Sequence, residues 1–275
     1  MIHTEFNPFF TIITSTLNAE STISRCVESV KNQTFKSYEH IVVDGASTDN
    51  TVTYIKSQSE HFSVVISEPD NGIYDAWNKA LEYRRGQWIL FLGADDALAD
   101  NEVLKDVHDF IVNIEKYYRI VYGNVIQLLP NSFNYLRTVV QPIESIGKNW
   151  VGSILVIPPH PATFHHTSLF ENYGKFDPTY KVVGDAKLLI SVLAQEKPIH
   201  YNRVINKHTL GGISSELGVD SFHETVRLMS ELKINVPLYR KLIGFFRAYS
   251  KLFVRILIGE KNTNCLLSFV RRFSL

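Results

Sequence analysis

Trp88-Ile89-Leu90-Phe91-Leu92-Gly93-Ala94-Asp95-Asp96 is a short apolar run closed by a small-residue turn and two adjacent acids. A run this short and this apolar, bounded by turn residues, reads as a strand buried on both faces. Its two carboxylates then stand at the carboxyl end, where open α/β sheets bind ligands. A hard cation such as Mg²⁺ or Mn²⁺ accepts one or two carboxylates and completes its shell with phosphate oxygens and water. Such an ion would neutralise charge on a diphosphate leaving group. An Asp-Asp pair by itself is as often a solvated turn, so its surroundings decide between the readings.

Three similar strand ends lie upstream. Phe9–Thr14 reads as a strand that leads into Thr14-Ser15-Thr16-Leu17-Asn18. His40–Val43 leads into Asp44–Asp49, and Phe62–Ser67 into Glu68–Asn71. Helical spacing fills the gaps. Ile23, Val27 and Val30 predict a helix from about Ala19 to Asn32 with Asn18 as its cap. Asp49 and Asn50 start a short helix through Ile55. Ile73, Trp77 and Leu81 predict a helix over Gly72–Tyr83, and Asn101 precedes another with Val103, Val107, Phe110, Ile111 and Ile114 on its apolar stripe. This β-α alternation implies a mostly parallel sheet with helices on both faces. Four polar strand ends then share one rim, three of them carrying carboxylates.

Pro69-Asp70-Asn71-Gly72 is a turn, and Gly72 opens a helix whose N-terminal amides suit a phosphate. Tyr74, Asp75 and Asn78 fall in its first two turns. Asp75 reads as a partner of the helix dipole, Trp77 as core and Lys79 as a solvated face. Further along, Arg119–Val125 and Ser153–Ile157 read as strands. Ser168–Tyr173 is a short helix stopped by Gly174, Gly184–Gln195 a longer one, and Ile199–Val204 a late strand.

The 275 residues suffice for one large α/β domain with an appendage, and 45% hydrophobic against 20% charged content excludes a disordered chain. A formal net charge of +0 argues against a general nucleic-acid binder. Cys26 and Cys265 offer neither a metal-ligand spacing nor a disulfide framework. No secretory signal pattern is visible, and no apolar run reaches about 18 residues. Together these predict a cytoplasmic protein.

The neutral total hides an asymmetry. From Pro237 onward there are eight basic residues (Arg240, Lys241, Arg247, Lys251, Arg255, Lys261, Arg271, Arg272) and one acid, Glu260. The preceding body keeps 20 basic and 27 acidic residues. Pro237 to about Ile258 reads as a helix with Arg240, Arg247, Lys251 and Arg255 on one face and apolar residues over the rest. That pattern suits a helix lying on an anionic membrane, at the inner face of the plasma membrane. The alternative is a helix packed on the domain with its basic stripe in solvent.

The blocks Thr14–Asn18, Val42-Val43-Asp44-Gly45-Ala46-Ser47-Thr48-Asp49, Pro69–Asn78 and Phe91–Asp96, in that order, resemble the motif series of the family 2 inverting glycosyltransferases. Within that family they are similar to bacterial members that assemble colanic acid, capsule and O-antigen units. The resemblance implies a GT-A fold: an α/β, mostly parallel mixed sheet flanked by helices, here with a C-terminal helical extension. It implies a catalytic domain over 1–236, its nucleotide-sugar half about 1–125 and its acceptor half about 126–236, followed by the 237–275 tail. It places Thr14, Asn18 and Asp44 at the nucleobase and ribose. Thr16, Asp70, Gly72, Tyr74, Asn78 and Asp95 complete the nucleotide-sugar set. Asp95 and Asp96 become the binding motif for Mn²⁺ or Mg²⁺, with His208, near the Gly211-Gly212-Ile213-Ser214 loop, as a candidate third ligand. Two departures stand out. Gly93 occupies a position where relatives often carry an acid or Asn, and Asp44 stands alone where many have two acids in a row.

On the acceptor side the resemblance extends to His160-Pro161-Ala162-Thr163-Phe164 and to Val183-Gly184-Asp185. It implies His160 at the acceptor and Asp185 as the general base that inverting transfer requires. Asp185 also fits a plain helix N-terminal acid. Asp177, the rival base, precedes a proline and reads as a turn residue. His165 and His166 read as surface.

The reading is an inverting transferase that moves a single sugar from a nucleotide-diphospho-sugar, a UDP-sugar favoured, to a saccharide or polyprenyl-linked acceptor in bacterial surface polysaccharide biosynthesis. Two alternatives belong to other classes. A nucleotidyltransferase expects a Gly-rich basic loop after the first strand, and Thr14–Asn18 contains neither Gly nor Lys. A catalytically silent nucleotide-sugar-binding module draws support from Gly93 alone.

Overall fold

The computed structural model of the chain describes residues 7–129, 133–210 and 218–259. Its first half alternates as expected: β1 Phe10–Thr16, α1 Ile23–Lys31, β2 Tyr38–Asp44, α2 Thr51–Ser57, β3 Val64–Ser67, α3 Ile73–Leu81 and β4 Trp88–Phe91. A short β5, Ala97–Leu98, and α4, Val103–Val112, follow. The second half contributes β6 Ile120–Leu128, β7 Tyr135–Val139, the hairpin β8 Trp150–Val151 with β9 Ile154–Leu155, β10 Thr163–His166, α5 Ser168–Tyr173, α6 Gly184–Leu193 and β11 Pro198–Thr209. Two helices close the described chain, α7 Gly218–Glu231 and α8 Leu238–Ile258.

One sheet runs through the molecule in the order β3-β2-β1-β4-β10-β6-β11-β5, with β7 beside β6. β1 to β4 are parallel. β10 is antiparallel to both β4 and β6, while β11 runs parallel to β6. The central strands are buried on both faces, and their alternation sorts the core. Ile13, Ile41 and Phe91 face α3, α5 and α6. Ile12, Leu90 and Phe164 face α1 and α4. Apolar residues on both pleats explain why these strands read as continuous rather than alternating runs.

Several expectations need correction. α1 begins at Ile23, not Ala19, and Asn18 does not cap it. Asn18 sits in the left-handed region at φ 49, and its side-chain carbonyl accepts from the Thr48 N–H at 2.9 Å. Asn101 is likewise not a cap; α4 starts after Glu102. The late strand is twelve residues long and reaches Thr209, because it pairs along β6 and then with β5. Ser153–Ile157 shrinks to the two-residue β9. His165 is not on the surface: it is fully buried on β10, mid-sheet, beside Phe91 and Phe170. His166 is half-buried, its ring edge-on to Trp88. Lys79 is not merely solvated, since its ammonium pairs with Glu68 at 2.9 Å and Asp75 at 3.5 Å. Trp77 is core, as expected.

Candidate active site

At the end of β4 the chain makes a tight turn in which the Asp96 N–H donates to the Gly93 carbonyl at 3.0 Å. A Cβ on residue 93 would stand 2.8 Å from Asp95 Oδ1 and 3.4 Å from Asp96 Oδ2. The two carboxylates therefore converge over Gly93, and the missing side chain is what makes room for them. Asp96 is buried; its Oδ1 accepts from the Thr209 N–H at 3.2 Å and lies 2.9 Å from His208 Nδ1. The far end of β11 is thus strapped onto the acidic pair. Burial raises the Asp95 carboxyl above its ordinary value, and the Asp96 charge adds to this against the pull of His208 and Arg25. Burial disfavours the His208 cation, but the charge and hydrogen bond of Asp96 outweigh it and the ring is held above its usual range.

Arg25 was not foreseen. From α1 its guanidinium donates to the Asp95 carbonyl and, at 2.7 Å, to Thr209 Oγ1. It ties the acidic turn to β11 from the opposite side. A lone arginine on a predicted amphipathic helix carries no such signal, because its partners lie 70 and 184 residues away.

Among the described residues no three His, Cys, Asp or Glu groups form a ready-made metal shell. No described side chain hydrogen-bonds to the Asp95 carboxylate. The pair thus differs within itself: Asp96 is held by His208 and the Thr209 N–H, and Asp95 keeps its carboxylate free of described side-chain donors.

The second rim loop differs from expectation. Asp44 is fully buried, and its carboxylate accepts from the Ser47 N–H at 3.0 Å, from Ser67 Oγ at 2.9 Å and from Ser47 Oγ. It organises the loop from beneath. Gly45 leaves space that Asp70 fills: a Cβ on residue 45 would lie 2.7 Å from Asp70 Oδ2. Asp70 Oδ1 in turn accepts from the Gly72 N–H at 2.9 Å, and Gly72 takes φ 112 before α3. Thr14 is buried below the rim, 3.0 Å from His40 Nε2. Thr16 ends β1, with a buried hydroxyl that has no described partner.

Tyr74 and Asn78 turn away from this rim. The Tyr74 hydroxyl lies 2.7 Å from the Val182 carbonyl and 3.1 Å from Asp185 Oδ1, sharing one proton between two acceptors. Asn78 donates to the Phe176 carbonyl at 2.8 Å and accepts from the Phe176 N–H at 3.0 Å. The two residues latch α3 to the segment before α6. Gly184 permits this contact, since a Cβ there would meet the Tyr74 ring at 2.7 Å.

Asp185 is half-buried in the first turn of α6. Burial raises its carboxyl, while the Ala186 N–H and the Tyr74 hydroxyl draw it back down. Asp177 is engaged elsewhere. Burial pushes it up, but Lys187 at 2.7 Å and the Thr179 N–H at 2.9 Å bring it down to about 2. His160 stacks on Trp77, with centroids 4.8 Å apart, and burial lowers its pKa to about 3, so it is neutral at pH 7. Its Nε2 has no described partner. Trp77 Nε1 donates to Ser15 Oγ at 3.1 Å, which joins this aromatic floor to the β1 rim. The Gly211–Ser214 loop lies outside the described residues.

Known proteins bear on this arrangement. Residues 11–180 match the family described as Glycosyl transferase family 2. A relative from Mycobacterium bovis, named PGL/p-HBAD biosynthesis glycosyltransferase, is 27% identical over 264 residues, covering 91% of this chain and 94% of its own. Among solved structures, S. aureus TarS 1-349 in complex with UDP-GlcNAc superposes with a TM-score of 0.64 at 21% identity, over 86% of this chain and 72% of that one. The mannosyltransferase PcManGT from Pyrobaculum calidifontis, in complex with GDP-Man and Mn2+, gives 0.63 at 16% identity, over 98% and 81%. At these identities the two structures establish the shared fold. The family match runs from inside β1 to just before α6 and takes in all four rim loops; the chain belongs to glycosyl transferase family 2 and has the GT-A fold.

Proposed function

We propose that this glycosyltransferase moves one sugar from a nucleotide-diphospho-sugar to a saccharide or lipid-linked saccharide acceptor, with inversion, in the building of a bacterial surface polysaccharide. The observation that carries the reading is the convergence of Asp95 and Asp96 over Gly93 beneath His208. In this reading Asp95 and Asp96 hold Mn²⁺ or Mg²⁺, with His208 beside them. The ion supplies Lewis-acid stabilisation of charge on the diphosphate. Thr16, Asn18, Asp70 and the Gly72 turn receive the nucleoside and phosphates, while Thr14 and Asp44 hold those loops from below. A UDP-sugar is the favoured donor; the UDP-GlcNAc bound to TarS supports a nucleotide sugar, and the GDP-Man and Mn2+ of PcManGT support an ion beside it.

Asp185 acts as base. It removes the proton of the acceptor hydroxyl as that oxygen attacks the anomeric carbon from the face opposite the diphosphate. The new glycosidic bond forms, the bond to the diphosphate oxygen breaks, and the nucleoside diphosphate leaves. A carboxyl raised by burial is better matched to this work near neutral pH than a solvated one. Tyr74 orients it, and His160 with Trp77 forms the acceptor floor. Residues 1–236 make the catalytic unit, with donor contacts in 1–125 and acceptor contacts in 126–236.

The test is a thermal-shift screen of UDP-, GDP- and dTDP-sugars with and without Mn²⁺. A true donor at 100 times its Kd stabilises the fold by about 2.7 kcal/mol, and NMR of the product reports the anomeric configuration. No shift with any donor, together with unchanged turnover in Asp95→Ala and Asp96→Ala, removes the proposal.

A further inference from the structure

Helix α8 has one side docked and the other bare. Gly244 sits against Ser153 and Phe222, leaving no space for a side chain, and Ala248 is buried one turn on. Ser153 Oγ donates to the Arg240 carbonyl at 3.2 Å, which fastens the start of the helix to the β8–β9 hairpin. At about 100° per residue, Tyr239, Leu242, Phe246, Phe253 and Leu257 fall on the opposite side of the helix from Gly244 and Ala248. All five are exposed, Phe246 by 66% and Phe253 by 63%. That outward side contains no charge. The described basic residues Arg240, Lys241 and Arg247 flank the docked stripe instead, within about 100° of it. No acid occurs anywhere in the helix sequence.

We infer that this face of α8 is a docking surface for an anionic lipid bilayer. The helix lies in the interfacial plane with its apolar side in the acyl boundary and its basic flanks among the headgroups. Three observations choose this occupant. Five large apolar side chains stand exposed along one side of the helix, and contiguous apolar exposure marks an interaction surface. The charges the helix carries are all basic, with no acid among them, so its polar side complements anionic headgroups, and a second copy would bring like charges together. Aromatic rings recur along it at Tyr239, Phe246 and Phe253, as suits a boundary layer. Among the described residues no helix is long and apolar enough to cross a membrane, so the contact is peripheral. The inference is independent of the assigned base and donor residues.

The experiment is co-sedimentation of the full chain with phosphatidylcholine vesicles containing phosphatidylglycerol, and with phosphatidylcholine alone. The chain is expected to sediment with the anionic vesicles, less so as salt rises. Phe246→Glu/Phe253→Glu lowers the partition coefficient by about tenfold or more. Lys241→Glu/Arg247→Glu abolishes the preference for phosphatidylglycerol, and a circular-dichroism melt confirms that both variants fold. Failure of the full chain to bind either vesicle overturns the inference. So does a dimer by light scattering that dissociates in Phe246→Glu/Phe253→Glu without any vesicle binding, which would make the face a contact between copies.

Discussion

The β1–β4 rim and the α6 side of the site are built differently. On the rim, each polar group follows its strand directly: Thr16 ends β1, Asp70 follows β3, and Asp95 and Asp96 follow β4. On the α6 side the decisive contacts span great lengths of chain, 111 residues from Tyr74 to Asp185 and 98 from Asn78 to Phe176. The difference separates two ways of making a site. A rim needs only a strand order and a turn after each strand. The α6 side needs α3 and α6 to close on one another across a distant segment, so its groups are held by packing.

The largest test of this contrast is Asp185→Asn against Asp177→Asn. Loss of a general base should lower kcat by about 10²- to 10⁴-fold, whereas Asp177→Asn should leave kcat close to wild type. Stability should move the other way. Burial raises the folded-state pKa of Asp185 above its unfolded value, so its charged form costs stability as pH rises through that window. Asp185→Asn is therefore expected to melt no lower than wild type at pH 7, as calorimetry would read.

Gly93→Ala comes next. A methyl group 2.8 Å from Asp95 Oδ1 must displace that carboxylate. Mn²⁺-dependent donor binding is expected to weaken by about 10- to 100-fold, by titration calorimetry. Unchanged binding would show that the rim tolerates a side chain at 93 and that the convergence is incidental.

A smaller effect separates orientation from mere packing. Tyr74→Phe keeps the ring against Gly184 but removes a hydrogen bond that lowers the Asp185 pKa. The acid limb of the kcat/KM profile should move to higher pH, with KM for the donor little changed. An unmoved limb with lower stability would reduce Tyr74 to a packing residue.

The smallest effect lies in the ion-pair cluster. Lys187 holds Asp177 at about 2 and Glu231 at about 2, both below their ordinary 3.8 and 4.5. Their stabilisation is present above about pH 4.5 and is lost as pH falls towards about 2. With the groups partly exposed, removing Asp177 should cost no more than about 1 kcal/mol at pH 7. Acid titration of the melting temperature, wild type against Asp177→Asn, reads the difference.

Much of the fold was legible because β1 to β4 are short, apolar and punctuated by turns, and a parallel sheet follows from that alternation. Asn18 misled the reading because a capping residue and a loop-bridging residue are chemically the same; which one forms depends on whether Thr48 comes within reach. Asp44 looked like a ligand group for a similar reason. A carboxylate after a strand can face outward or organise its own loop, and Asp44 accepts from Ser47 of that loop and from Ser67 at the end of β3. His165 reads as surface from the sequence, yet alternation along β10 sends its ring into the core. Arg25 had no local signature at all.

From its order of residues alone, the chain specifies the alternating strands and helices, the four rim loops, the adjacent acids and a basic, apolar C-terminal helix. These depend on local periodicity and turn chemistry, which act over a few residues. Which carboxylates stay open, which are held by their own loops, that Asp70 fills the space over Gly45, and that Tyr74 reaches Asp185 were set by the assembled sheet. Burial and hydrogen-bond satisfaction depend on neighbours brought together across a hundred residues or more, and those neighbours exist only once the fold has formed.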